Sequence, residues 1–290
     1  MKSILVPLSG SNTDSLVMEA AYALARRLDA HIDFAHVPLS GIDLRIVEPH
    51  IDFARGEALQ LALKDLAARS KAGEARTFAS AEAFCKAKGI AQMAKPARRD
   101  GVSAGWVTSP CEDIAALLRN ARAHELIMVG RSAFGNTLSL NLLDALVTEC
   151  GRPILIVPPS SQPIPFEFDK IAVWWKDHVA AARAVSAAMP VIGAAKHVTV
   201  LTVEESGKSY AETATTLARQ LGWYDVEASQ FALEAKGQPV IDVLWAASGA
   251  AKAGLVVMGA FGHSRMRELI FGGCTQSVLD NAPLPVLLQY

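Results

Sequence analysis

At 290 residues the chain is long for one hydrophobic core and comfortable for two domains. Hydrophobic residues make up 51% and charged residues 20%, which points to a globular, well-buried protein rather than a disordered one. A formal net charge of -1 gives no electrostatic ground for nucleic acid or a membrane surface as partner.

The first residues, Met1-Lys-Ser-Ile-Leu-Val-Pro, run straight into a strand and lack the features of a signal peptide. No apolar run is long enough to span a bilayer, so a soluble, cytoplasmic protein is expected. Cys85, Cys111, Cys150 and Cys274 form no C-x-x-C pair and have no histidine at zinc-like spacing; they read as free thiols.

Ile4 to Leu8 is a short apolar strand, followed by the polar turn Ser9-Gly-Ser-Asn-Thr-Asp. Leu16, Val17, Ala20, Ala21, Leu24 and Leu28 then recur at helical spacing. His31 to Val37 reads as a strand, and the long region from Ile51 to Met93 holds a helix marked by Leu59, Leu63 and Leu66. Val102 to Thr108 is a strand. Ser109-Pro-Cys-Glu opens a helix with an N-cap, a proline at the first position and a capping-box glutamate. Leu126 to Gly130 is a strand, Leu140 to Val147 a helix, and Pro153 to Val157 a strand.

Pro158-Pro-Ser-Ser-Gln-Pro-Ile-Pro has the composition of a linker, and beyond it the pattern restarts. Strands are expected at Ile171–Trp175, Val198–Val203, Val226–Leu233, Leu255–Met258 and after Pro285, with helices between them. Trp174 and Trp175 alternate along a strand and read as core, one in each layer. Glu125-Leu-Ile-Met-Val-Gly aligns with Gly254-Leu-Val-Val-Met-Gly, and Arg152-Pro-Ile-Leu-Ile-Val with Leu284-Pro-Val-Leu-Leu, so the chain is an internal repeat. The domains are placed at 1–159 and 166–290. Each is expected to be a five-stranded parallel sheet with helices on both faces. The two fifth strands, apolar and each following a proline, are expected to pack together rather than remain open edges.

The informative stretch follows Leu255–Met258. Gly259 and Gly262 mark a tight turn, and Gly272 and Gly273 precede a helix announced by Val278, Leu279 and Ala282. Glycines let backbone N–H groups approach a phosphate, and a helix N-terminus supplies unpaired donors. Thr275 either caps that helix or offers its hydroxyl to a phosphate. His263 and Arg265 lie inside the loop, where Arg265 either faces phosphate or is an exposed side chain.

This strand, glycine loop and helix resemble the universal stress protein family, whose nucleotide-binding members carry G-x2-G-x9-G-(S/T) here. Gly259, Gly262 and Gly272 fit the spacing, while Gly273 stands where Ser or Thr is usual. The resemblance covers nearly the whole chain as a tandem member and implies two adenine-nucleotide α-hydrolase-like domains. It implies ATP, ADP or AMP as ligand, magnesium carried on the phosphates, and a backbone contact to adenine near Val203. It also implies a role in stress response as a binding or signalling module, with the two halves as an internal pseudo-dimer or the chain as a homodimer.

Both halves depart from the family's acid after strand one. The second half reads Lys176-Asp-His178 there and the first Ser9-Gly-Ser11. Lys176 either favours phosphate or is a solvated loop lysine. Ser9–Ser15 also resembles the S-G-G-x-D-S phosphate loop of adenylating enzymes, but is one residue too long and lacks the second glycine. In the first half Ala133 replaces the second glycine and the loop is shorter, so nucleotide is expected only in the second. No catalytic constellation is visible, and the alternative is a stress protein without nucleotide that acts on an unidentified protein partner.

Overall fold

In the computed structural model of the chain the described residues are 1–11, 13–37, 57–95, 100–107, 114–131, 140–160, 166–204, 207–260 and 273–290. They form two compact units, Lys2–Cys150 and Gly151–Tyr290, with Met1 grouped with the latter.

The first unit contains β1 (Ser3–Leu8), α1 (Asp14–Leu28), β2 (His31–His36), α2 (Glu57–Lys88), β3 (Ala91–Gln92), β4 (Ser103–Trp106), α3 (Ile114–Ala123), β5 (Leu126–Gly130) and α4 (Leu140–Glu149). Its strands lie in the order β3-β4-β2-β1-β5, every pair parallel. Ile4, Leu5, Val6 and the run Leu126–Val129 are fully buried, because a parallel sheet is covered on both faces. α1 turns Val17, Met18, Ala20, Ala21, Leu24 and Ala25 inward, and Asp29 ends it in the left-handed conformation, its N–H on the Ala25 carbonyl. α2 runs much further than its leucine spacing predicts, and β3 has no counterpart in the sequence pattern.

The second unit contains β6 (Ile154–Val157), β7 (Lys170–Trp174), α5 (Val179–Ile192), β8 (His197–Glu204), α6 (Ala211–Leu221), β9 (Ala228–Glu234), α7 (Val240–Ala250), β10 (Leu255–Gly259), α8 (Gly273–Asn281) and β11 (Val286–Gln289). Its order is β6-β11-β10-β7-β8-β9. All pairs are parallel except β6 with β11, where Ile156 stands opposite Val286, Leu155 opposite Leu287 and Ile154 opposite Leu288. The two post-proline strands therefore pair with each other, and both are buried. α5 packs on β7, β10 and β11, α6 on β8 and β9, and α7 on β8. Among the described residues no helix is long and apolar enough to cross a membrane.

Candidate functional site

In the second unit the strand order reverses at β7: β8 and β9 extend to one side of it, β10 and β11 to the other. A reversal of strand order opens a crevice at the carboxyl ends of the strands. A cavity of about 410 Å³ occupies this place. Its floor is Trp174, Leu201, Val203 and Met258, and one wall is Pro239, Val240, Ile241 and Leu244 from the start of α7. Trp175, Lys176 and His178 line it from the β7 loop, Ala180 and Ala181 from the first turn of α5, and Gly259, Gly273, Cys274 and Thr275 from the glycine region.

Hydrogen bonds fix the aromatic side. Trp174 is buried and donates Nε1–H to Ser248 Oγ at 2.9 Å, and Ser248 in turn donates to the Leu244 carbonyl at 2.8 Å. Trp245 stands edge-on to Trp174, ring centroids 4.4 Å apart. Trp175 donates its Nε1–H to Thr213 Oγ1 at 3.0 Å. Trp174 thus belongs to the core, as the alternation predicts, whereas Trp175 lies just past the end of β7 and is only half-buried; both line the cavity.

The polar groups are donors. His178 is the N-cap of α5, its Nδ1 accepting the Ala180 N–H at 3.2 Å, so the imidazole proton is on Nε2. Lys176 holds its ammonium 5.8 Å from the centre of the Tyr210 ring. α5 and α8 both begin at the cavity, and helix N-termini carry partial positive charge. No Asp or Glu is among the described residues that line it. Asp177, between the two donors, is exposed and outside the lining.

Of the residues the sequence singles out, Lys176, Val203, Gly259, Gly273 and Thr275 all line this cavity, Thr275 as a buried side chain. Gly262, His263, Arg265 and Gly272 lie outside the described residues. Sequence reasoning missed His178, Tyr210 and the α7 wall. The first was legible as a polar residue just before an apolar helix, the usual N-cap place. The other two depend on which helices close over the crevice, which no local signal states.

The corresponding end of the first unit is built differently. The Asp14 carboxylate accepts the Gly10 N–H at 2.8 Å, the Ser9 N–H at 3.3 Å and the Ser11 hydroxyl at 3.1 Å. Burial pushes that carboxyl up, against these bonds, which favour its charged form. The loop after β1 thus spends its N–H donors on its own aspartate, and its likeness to a phosphate loop ends there. Thr77 of α2 closes over the same loop, accepting from His36 Nδ1 at 3.2 Å and donating to the Gly73 carbonyl at 2.9 Å.

No known protein-family profile matches the chain, and no curated protein matches it. Solved structures do. A universal stress protein from Archaeoglobus fulgidus DSM 4304 superposes with a TM-score of 0.67 at 15% identity, covering 99% of this chain and 95% of that one. A protein of unknown function from Pseudomonas aeruginosa PAO1 gives 0.55 at 16% identity, covering 100% and 92%. A protein assigned to the universal stress proteins from Pseudomonas aeruginosa UCBPP-PA14 gives 0.54 at 16%, covering 100% and 93%. At these identities the likeness is one of fold, and over nearly its whole length the chain has the fold of the universal stress proteins.

Proposed function

We propose that the chain is a tandem universal stress protein that binds ATP, or the related ADP or AMP, in its second unit and acts in stress adaptation as a binding or signalling module. The observation that carries this reading is the cavity at the end of β7 and β10. It has an apolar floor and wall sized for a small-molecule ligand, and two helix N-termini and a lysine for an anionic end. The sequence spacing of Gly259, Gly262 and Gly272 supports the same ligand. The first unit, with its loop donors taken by Asp14, has a structural role.

A second reading, action through protein contacts alone, is favoured by the exposure of Trp223, Tyr224 and Phe231 on the second unit. Mass spectrometry of small molecules released on denaturing the purified protein, followed by calorimetric titration with ATP, separates the two. One nucleotide per chain supports the first reading. No released nucleotide and no heat with millimolar ATP sinks it in favour of the second.

A further inference from the structure

β9 is the last strand in the order of the second unit, and among the described residues it pairs with β8 alone. It keeps one register over all its residues, from Ala228 to Glu234, without a bulge. The Val198 N–H donates to the Glu227 carbonyl at 2.9 Å, which sets the phase of the ladder. Backbone groups alternate along a strand, so Ser229, Phe231 and Leu233 turn theirs toward β8 as Glu227 does. Those of Ala228, Gln230, Ala232 and Glu234 point outward, along the open edge.

Open edges are normally blunted by proline, lysine, a bulge or a covering element. Ala228-Ser-Gln-Phe-Ala-Leu-Glu has neither proline nor lysine, and its single charge stands at the last position. Five large apolar side chains are exposed among the described residues, and three of them gather here: Phe231 in the strand, Trp223 and Tyr224 in the 3₁₀ turn just before it. Ser229, Phe231 and Leu233 share one face of β9 and line a cavity of about 790 Å³ together with Leu201 of β8 and Ala247 of α7. An added strand suits both features, because its backbone pairs with the edge while its side chains extend over the apolar face.

Symmetry selects which strand. The middle residue of β9 is Phe231, whose backbone groups point inward. Antiparallel pairing with a copy of itself about a two-fold axis at Phe231 sets Gln230 opposite Ala232 and Ala228 opposite Glu234, so every outward N–H and C=O of the strand gains a partner. The two Phe231 side chains then meet in a narrow, non-hydrogen-bonded pair, with Ser229 opposite Leu233 on the same face. Glu227 falls opposite Ala235 and Lys236 opposite Val226, so no like charges stand opposed. We propose that two copies of the chain form a dimer through their β9 edges, with Phe231 on the axis. The interface is independent of the nucleotide cavity and goes beyond both readings of it.

Sedimentation equilibrium of the full-length protein from about 1 to 100 µM tests this, with a dimer as the expected result. Phe231→Lys sets two ammonium groups against each other on the axis and should weaken the dimer about a hundredfold or more. Ala232→Pro removes an outward N–H that only the partner uses, a change an edge strand tolerates, and should give a monomer that circular dichroism shows to be folded. Phe231→Cys should form a disulfide-linked dimer on mild oxidation, while the parent and Trp223→Cys, whose residue lies far from the axis, should not. A monomeric parent over that range overturns the proposal and leaves the edge to a strand of another protein. A dimer that persists in the folded Phe231→Lys and Ala232→Pro variants overturns it as well, since the copies then meet elsewhere. Failure of Phe231→Cys to cross-link has the same consequence.

Discussion

Gly259 lies so close to the peptide joining Ala180 and Ala181 that a Cβ there would stand 2.5 Å from Ala180 C and Ala181 N. The end of β10 meets the first turn of α5 backbone to backbone, and no side chain fits between them. The first unit repeats the contact with a softer partner: a Cβ on Gly130 would stand 2.7 Å from Val17 Cγ2 of α1. Each glycine therefore has a packing duty that is independent of any ligand.

Gly259→Ala is accordingly expected to destabilise the protein by about 1–3 kcal/mol, because a backbone neighbour cannot rotate away. Gly130→Ala should cost less, about 1 kcal/mol, since Val17 can shift, and should leave ATP affinity unchanged. Denaturant titration of both variants provides the check. A Gly259→Ala protein as stable as its parent would show that the close approach is not a constraint.

Gly273 presents the opposite case. As the first residue of α8 it lines the cavity, and a Cβ there would meet nothing within 4 Å. Gly273→Ser should therefore fold normally and gain up to about 0.5 kcal/mol in helix propensity. The new hydroxyl, pointing into the phosphate end, should tighten ATP binding roughly three- to tenfold. Weaker binding by Gly273→Ser, measured by titration, would remove the phosphates from the start of α8.

How far the sequence was legible follows from the same residues. Apolar runs buried on both faces, such as Ile4–Val6 and Leu255–Val257, announce parallel strands because each depends only on its own composition. The repeat Glu125/Gly254 hides a difference that composition cannot show. Glu125 accepts the Lys2 and Ser3 N–H groups, whereas a Cβ on Gly254 would strike the Glu167 carbonyl. The same limit holds at the site. The glycine spacing pointed to the end of the sheet where Gly259 and Gly273 line the cavity, but Asp14, five residues beyond Ser9, had to fold back before the first unit's loop could be seen as filled. Ile241 and Leu244 reach the cavity from a helix whose position only the crossovers determine.

The last expectation concerns Asp33, which bridges two histidines in the first unit. His31 donates Nε2–H to its Oδ1 at 3.2 Å, and His124 donates Nε2–H to its Oδ2 at 3.1 Å. His31 Nδ1 meets Ser103 Oγ at 2.8 Å, and His124 Nδ1 donates to the Asn120 carbonyl at 2.8 Å. Both nitrogens of His124 thus face oxygen atoms, those of the Asn120 carbonyl and the Asp33 carboxylate. Gly105 makes the room, since a Cβ there would stand 2.9 Å from Asp33 Oδ1 and 3.0 Å from His31 Nε2. Burial alone would raise the Asp33 carboxyl, but the hydrogen bonds and charges of His124 and His31 outweigh it and hold the group well below its ordinary value of 3.8. A carboxyl depressed on folding stabilises the folded state fully above its unfolded value, and that contribution is lost as pH falls through the lower folded value. Asp33→Asn should therefore cost about 2–3 kcal/mol near neutrality, because an amide oxygen accepts from one imidazole and leaves the other buried without its anion. The gap between parent and variant should persist down to about pH 4 and close below it, as the parent's carboxyl takes up its proton. Denaturant titrations stepped from about pH 6 to pH 2 would show this, and a gap that stays constant over the whole range would mean that Asp33 acts by shape and not by charge.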